Sequence, residues 1–374
     1  MKFSYFHLMP WTDLEEAPAA WPAGNSGFVP ERGKEMYDAY IDSMVFAEEC
    51  GFDWVGCNEH HFSPYGLMAN CNLIGGALTQ RTSKIKLAML GNLIPLLNPI
   101  RVAEEYAMLD VMSGGRLIAG MIRGVPHEYI AYNVNPDESR ARLREAVGLI
   151  LKAWTEPEPF GWEGEFFEYP SVSIWPRPMQ RPHPPLLMSA SNEESAEFAG
   201  EHKAICGLTL IADLDLAKRS IETYTKAARA AGFEPPPDYI LCGYATCIAD
   251  TDEEARHNLE EGERYFHKVL MASLRDAQRL VITKSRYFGS QETGDRFVNR
   301  LVKLKERSLD DMIEAGSVFC GSPESVVKQI KRVHGALGNG VFNLNFKIGN
   351  IPDSVVRRGM ELFRDKVLPQ VHAL

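Results

Sequence analysis

Three clusters in this 374-residue sequence place reactive side chains at spacings that could bring them to one site. The first is Asn58-Glu59-His60-His61-Phe62. An imidazole titrates near neutral pH and can move a proton. Neighbours on an extended strand point to opposite faces, so His60 and His61 lack the shared face of a helical i, i+4 metal pair. One of the two then serves a pocket while the other bonds to a neighbouring loop, and His61 is assigned the structural role. The second cluster joins Arg123, in Ile122-Arg123-Gly124, to Arg140, in Glu138-Ser139-Arg140. Two guanidinium forks suit phosphate oxygens, although Arg140 on its own equally suits a surface pair with Glu138 or Glu145. The third is Ser189-Ala190-Ser191-Asn192, where a helix start and a hydroxyl could seat a phosphate. An ordinary N-cap followed by Glu193 and Glu194 fits the same residues.

Side chains so far apart in the chain need a scaffold that gathers strand ends. Short apolar or β-branched runs alternate with stretches of helical period throughout. Strands are expected over 3–8, 53–58, 85–91, 116–122, 186–189, 205–210, 239–248 and 340–347. Helices are expected over 34–50, 67–79, 100–112 and 139–154, from 192, 214 and 252, and over 323–334 and 352–367. An aromatic and proline-rich excursion occupies 160–185, and a charge-rich, poorly periodic stretch occupies about 276–316. Thr251 and Glu254 have capping-box spacing, and Ser322 before Pro323 reads as an N-cap. Eight strands in strict alternation with helices predict an α/β fold, a (β/α)8 TIM barrel with insertions in its βα loops, forming one domain over 1–374. A doubly wound sheet would carry a glycine-rich fingerprint after its first strand, and Leu8-Met9-Pro10-Trp11 is not one. In a barrel the residues just past each strand face the site. His60, Arg123 and Ser191 all fall there.

Composition narrows the function classes. With 45% hydrophobic and 24% charged residues the chain is an ordinary globular one. Its formal net charge of -10 and the lack of a basic patch argue against nucleic acid and anionic membranes. Seven scattered cysteines without a C-x-x-C pair suggest neither a disulfide framework nor a zinc site. No stretch reads as a signal peptide or a membrane span, which predicts a cytoplasmic protein.

Several segments carry a family resemblance. Cys50-Gly51-Phe52-Asp53 leads into Glu59-His60-His61-Phe62, followed by Asn98-Pro99-Ile100-Arg101, Leu109-Asp110-Val111-Met112-Ser113-Gly114-Gly115-Arg116-Leu117 and Ile122-Arg123-Gly124. With Gly321-Ser322-Pro323-Glu324 and Met360-Glu361-Leu362-Phe363, their order resembles the bacterial luciferase-like family of flavin-dependent monooxygenases over nearly the whole chain. The resemblance implies that Arg123, Arg140, Ser191 and Asn192 bind the phosphate of flavin mononucleotide (FMN). It implies that His60 is the proton-transfer group beside the flavin ring. Leu90 and Gly91 would lie against that ring, where the luciferase catalytic chain has a non-prolyl cis peptide. Departures matter as well. Ile122 stands where that chain has a reactive cysteine and Ala190 where it has an acid, so light emission from an aldehyde does not carry over.

The function implied is a two-component monooxygenase. Reduced FMN (FMNH2) would come from a separate NAD(P)H:flavin reductase, since the chain has no nicotinamide fingerprint. It would react with O2 through a C4a-(hydro)peroxide and put one oxygen atom into a small, largely apolar substrate. His7, Met9, Trp11 and Phe62 are expected to shape the substrate pocket, helped by the long loop over 11–31, with Tyr65 and Tyr129 as further rim aromatics. The stretch at about 276–316 would be a lid, and a homodimer is expected from the resemblance. Alternatives are deazaflavin-dependent hydride transfer on the same fold and a non-catalytic flavin-binding protein. A metal-dependent hydrolase would need a His-x-His on an early strand, where His7 stands alone, so no metal is expected.

Overall fold

A computed structural model describes residues 1–211, 213–275, 277, 281 and 307–374. Its strands are β1 (Lys2–His7), β2 (Trp54–Cys57), β3 (Lys86–Met89), β4 (Leu117–Met121), β5 (Phe160–Glu163), β6 (Glu168–Val172), β7 (Leu186–Ser189), β8 (Ile205–Leu208), β9 (Ile240–Ile248), β10 (Val318–Gly321) and β11 (Val341–Asn345). Eight of them form a closed parallel barrel in the order β1-β2-β3-β4-β7-β8-β9-β11, and β11 returns to pair with β1. This is the (β/α)8 fold expected from the alternation.

Strand parity explains the closure. Phe3 and Tyr5 of β1 face outward into a shell of helices, whereas Phe6 points inward with Trp54, Ala88, Leu90, Ile118, Leu187, Ile205, Leu241 and Val341. These strands are apolar on both faces, as strands between helices and a filled barrel interior must be. Gly120 is required by the approach of β3 to β4, because a Cβ there would lie 1.7 Å from the Met89 carbonyl oxygen.

The segment Leu109–Leu117 does its work at the N-terminal end of the barrel. Buried Asp110 accepts from the Gln180 backbone and amide, while the Arg116 guanidinium donates to the Thr79, Thr82, Ile85 and Ser113 carbonyls and the Thr82 hydroxyl. These bonds clamp the turn into β4, at the opposite end from the catalytic rim.

The structure adds elements that periodicity did not reveal. The excursion over 160–185 contains the antiparallel hairpin β5–β6, and β10 pairs with the C-terminal half of β9 outside the barrel. Both strands of the hairpin are largely exposed, so they lack the apolar runs that mark the barrel strands. Two capping expectations change. Thr251 accepts from the Glu254 N–H, which is half of a box. Ser322 sits at the N-cap position but its hydroxyl bonds Ser325, while its N–H goes to Asp252. The proposed lid lies mostly outside the described residues; its end, from Arg307, contains the helix Leu309–Glu314, closed by a Ser308–Asp311 box. Among the described residues no helix is long and apolar enough to cross a membrane.

Candidate active site

The C-terminal rim is strained where three successive strands end. Met9, Phe62 and Asn92, following β1, β2 and β3, have φ of 53°, 56° and 40°. Left-handed backbone costs a non-glycine residue on the order of 1–3 kcal/mol and persists where surrounding bonds enforce it, commonly at functional sites. Those bonds are visible here. The Met9 N–H donates to His7 Nδ1 at 2.9 Å, Leu67 N–H donates to the Met9 carbonyl, and Asn92 exchanges amide bonds with Asn72.

His60 stands at the centre of this rim. Its Nδ1 lies 2.9 Å from Glu128 Oε1, its side chain is 16% exposed, and its ring packs against Tyr65 at 4.4 Å between centroids. Glu128 is wholly buried and reaches His60 from the loop after β4, where its second oxygen accepts the Val125 N–H. Burial alone would raise this carboxyl. The bond and charge of His60, with His127 and the Val125 N–H, outweigh it and hold the carboxyl below its usual range. Glu128 is therefore an ionised orienting partner that fixes His60 through Nδ1. Sequence reading had passed it over; the available signal was Val125-Pro126-His127-Glu128, directly after Arg123 in a βα loop.

His61 points away and is bonded through both ring nitrogens, to Glu59 at 3.3 Å and to the Tyr132 hydroxyl at 3.2 Å. It is 4% exposed. This geometry fits the structural role read for it.

The arginines do come together. Arg123 Nη1 donates to Ser139 Oγ at 3.4 Å, and Tyr129 donates to the Arg123 carbonyl. Arg140 opens the helix Ser139–Thr155, which has no acid in its first turn, so two cations, Arg140 and Arg142, stand at the positive end of its dipole. Burial and the charges of Arg123 and Arg144 push the Arg140 guanidinium down to about 10. Cations that crowd one another at a helix N-terminus are the donor set of an anion site. Arg140 pairs with Glu194 of the adjacent βα unit, rather than with Glu138 or Glu145, and Arg144 shares Glu194 at 3.9 Å. That ion pair brings the helix Glu193–Glu201 to the cluster. Asn192 caps this helix through a box with Ser195, so its side chain is engaged structurally, and Ser191 before it is exposed.

Other expected site residues are placed as follows. Leu90–Gly91 is a trans peptide; the three cis bonds among the described residues all precede proline. The left-handed residue of this stretch is the next one, Asn92. The Leu90 N–H is committed to the Cys57 and Ala88 carbonyls, and a Cβ on Gly91 would meet Glu59 Cβ at 2.7 Å. Of the substrate-pocket residues, Phe62 is 53% exposed, whereas His7, Met9 and Trp11 are buried at 1%, 0% and 4% exposure. His7 stacks on Tyr40 and Trp11 on Phe28, so these three brace the rim from beneath. Among the described residues no group of three or more His, Cys, Asp or Glu could hold a metal ion.

Comparison with known proteins matches a family described as luciferase-like monooxygenase over residues 2–340. An alkanal monooxygenase alpha chain of Photobacterium leiognathi is 24% identical over 91% of this chain and 95% of its own length. An uncharacterised protein of Sinorhizobium fredii is 35% identical over 50% of this chain, which spans 56% of that relative. The oxygenase component of a flavin-dependent trigonelline monooxygenase of Acinetobacter baylyi is 27% identical over 60% of this chain and 62% of its own. Among solved structures, a monooxygenase of Streptomyces bottropensis aligns over 100% of both chains with a TM-score of 0.75 and 26% identity. The oxygenating constituent of 3,6-diketocamphane monooxygenase of Pseudomonas putida, in complex with FMN, aligns over 99% of both chains with a TM-score of 0.75 and 21% identity. An F420-dependent secondary alcohol dehydrogenase shares the fold over 99% of this chain at a TM-score of 0.68 and 18% identity.

Proposed function

Because this chain belongs to the luciferase-like monooxygenase family as a flavin-dependent monooxygenase, we propose that it is the oxygenase component of a two-component system. It takes FMNH2 from a separate NAD(P)H:flavin reductase and transfers one oxygen atom of O2 to a small, largely apolar substrate. The likeness to the trigonelline oxygenase component supports the reductase partner. The observation that carries the FMN assignment is the meeting of Arg123 and Arg140 at a helix start, with the His60–Glu128 pair on the same rim.

Arg123 and Arg140 would hold the flavin phosphate, with the Ser191 hydroxyl beside it and Leu90 and Gly91 toward the ring. Reduced flavin, when bound, supplies the two electrons with which one O2 yields an oxygen atom for the substrate and one water. The chain's own part is to bind, orient and manage protons. Glu128 holds His60 Nδ1, which leaves Nε2 to give or take the proton. Tyr65 packs apolar surface against the His60 ring, which keeps water from the reacting groups.

The test is oxygen consumption with a flavin reductase, NADH and FMN, run beside binding of reduced coenzyme F420. Tight binding of FMNH2 with coupled O2 uptake supports the proposal. Preference for F420 without O2 uptake favours hydride transfer, and FMNH2 binding with no product from any substrate favours a storage protein.

We further assign the expected homodimer contact to the outer faces of the helices Cys71–Arg81 and Pro99–Met112. Leu73 is 74% exposed at the rim end of the first helix and Met108, Val111 and Met112 are half-exposed toward the far end of the second, and exposed apolar side chains of this kind mark protein contacts. Sedimentation at micromolar concentration should give a dimer, and Leu73→Asp with Met108→Asp a monomer.

A further inference from the structure

Beside His60, an aromatic pair carries buried hydrogen-bonding groups without a partner among the described residues. The His127 ring is 1% exposed, and neither of its nitrogens has a hydrogen-bond partner among the described residues. Trp21, from the long first loop, meets it edge-on with ring centroids 5.7 Å apart, and the buried Trp21 Nε1–H is also unpartnered among the described residues. Phe62 lies on the other side of Trp21, at 6.3 Å between centroids.

Other buried side chains with an unpartnered atom, such as Ser4 and Asn343, leave an oxygen; every such nitrogen among the described residues belongs to Trp21 or His127. His7 and His61, equally buried, both have bonds. An unpaired buried donor is costly and is kept where a ligand completes it. The charges around the pair set the ligand's character. Glu128 Oε1 lies 4.0 Å from His127 Nε2 and is ionised, so a second anion would be repelled there. Burial pushes the His127 imidazole down to about 4 against the opposing pull of Glu128, so the ring is neutral and offers one N–H and one lone pair.

We infer that Trp21 and His127 form a polar subsite that receives an uncharged oxygen acceptor of the substrate, so that the site selects neutral oxygen-bearing molecules over hydrocarbons and carboxylates. The word substrate rests on the proposed oxygenase activity; the subsite itself does not. Trp21 Nε1–H and the His127 N–H donate to the acceptor, while Phe62 covers the apolar remainder. The pair lies on the rim next to the proton-transfer group, so the acceptor also fixes which part of the substrate faces His60.

The test reads binding without turnover. In a 1H–15N spectrum of the whole protein the Trp21 indole signal is assigned by its loss in Trp21→Phe. Cyclohexanone should shift that signal in a saturable way. Methylenecyclohexane, which replaces the oxygen by carbon, and cyclohexanecarboxylate should not. His127→Phe keeps the edge-on ring contact but removes both nitrogens. It should weaken cyclohexanone about fivefold or more, as loss of one hydrogen bond does, and leave thermal stability unchanged or raised. A histidine held for structure would instead lose stability. No shift with cyclohexanone, equal shifts with the carbon analogue, or full affinity in His127→Phe would overturn the inference. If the indole responds as expected but FMNH2 is not bound, the subsite stands and the oxygenase reading falls; coupled oxygen uptake with a silent indole gives the reverse.

Discussion

His60→Ala is expected to lower turnover by about 10²–10³, the usual worth of a positioned proton-transfer group, while changing FMNH2 affinity by less than about threefold. The asymmetry follows from position. His60 is fixed through Nδ1 by Glu128, and the arginine cluster is built from other strands and helices. Glu128→Gln is the sharper companion. It keeps an oxygen for Nδ1 but removes the buried charge, so turnover should fall while FMNH2 affinity holds. Glu128→Ala would also orphan the Val125 N–H and confound the result with lost stability. Steady-state rates at saturating flavin, taken across pH, check both. Unchanged turnover in His60→Ala would remove it from the mechanism.

The second large effect is on the cofactor. Arg123→Ala and Arg140→Ala should each weaken FMNH2 by about tenfold or more, since charge-assisted hydrogen bonds contribute about 1.5–3 kcal/mol each. The double variant should lose more than either single but less than their product, because both guanidiniums act on one group. Glu194→Gln should move affinity the other way, since the phosphate then meets no competing carboxylate at Arg140. Loss of binding in all three variants alike would mean that the cluster is a structural ion-pair network, as would no loss in any. Anaerobic titrations distinguish these results.

The barrel was legible because its strands and helices repeat a period that the sequence displays, and because Arg123 and His60 fall immediately after strands. The hairpin β5–β6 was not, since its strands are largely exposed and carry no apolar run, and the extra strand β10 follows a charge-rich stretch and lies outside the strict alternation. Residues that carried the family resemblance divide by role. Asp110 and Arg116 fasten the far end of the barrel, whereas His60, Arg123 and Arg140 reach the rim. Glu128 and His127 were hidden because their significance is tertiary. A carboxylate in a short helix after β4 means little until the chain brings it against a histidine 68 positions earlier. The burial of His7, Met9 and Trp11 is likewise set by what the first loop covers, which the type of those residues does not reveal.

The central claim is that Arg123 and Arg140 converge on the phosphate of a flavin. Anaerobic calorimetric titration of the wild-type chain with FMNH2 and with reduced riboflavin, which differ only in that phosphate, measures it directly. FMNH2 should bind about a hundredfold or more tighter, as two charge-assisted contacts require, and the preference should vanish in the Arg123→Ala, Arg140→Ala double variant. Equal affinity for the two flavins, or a preference that survives in the double variant, would contradict the account.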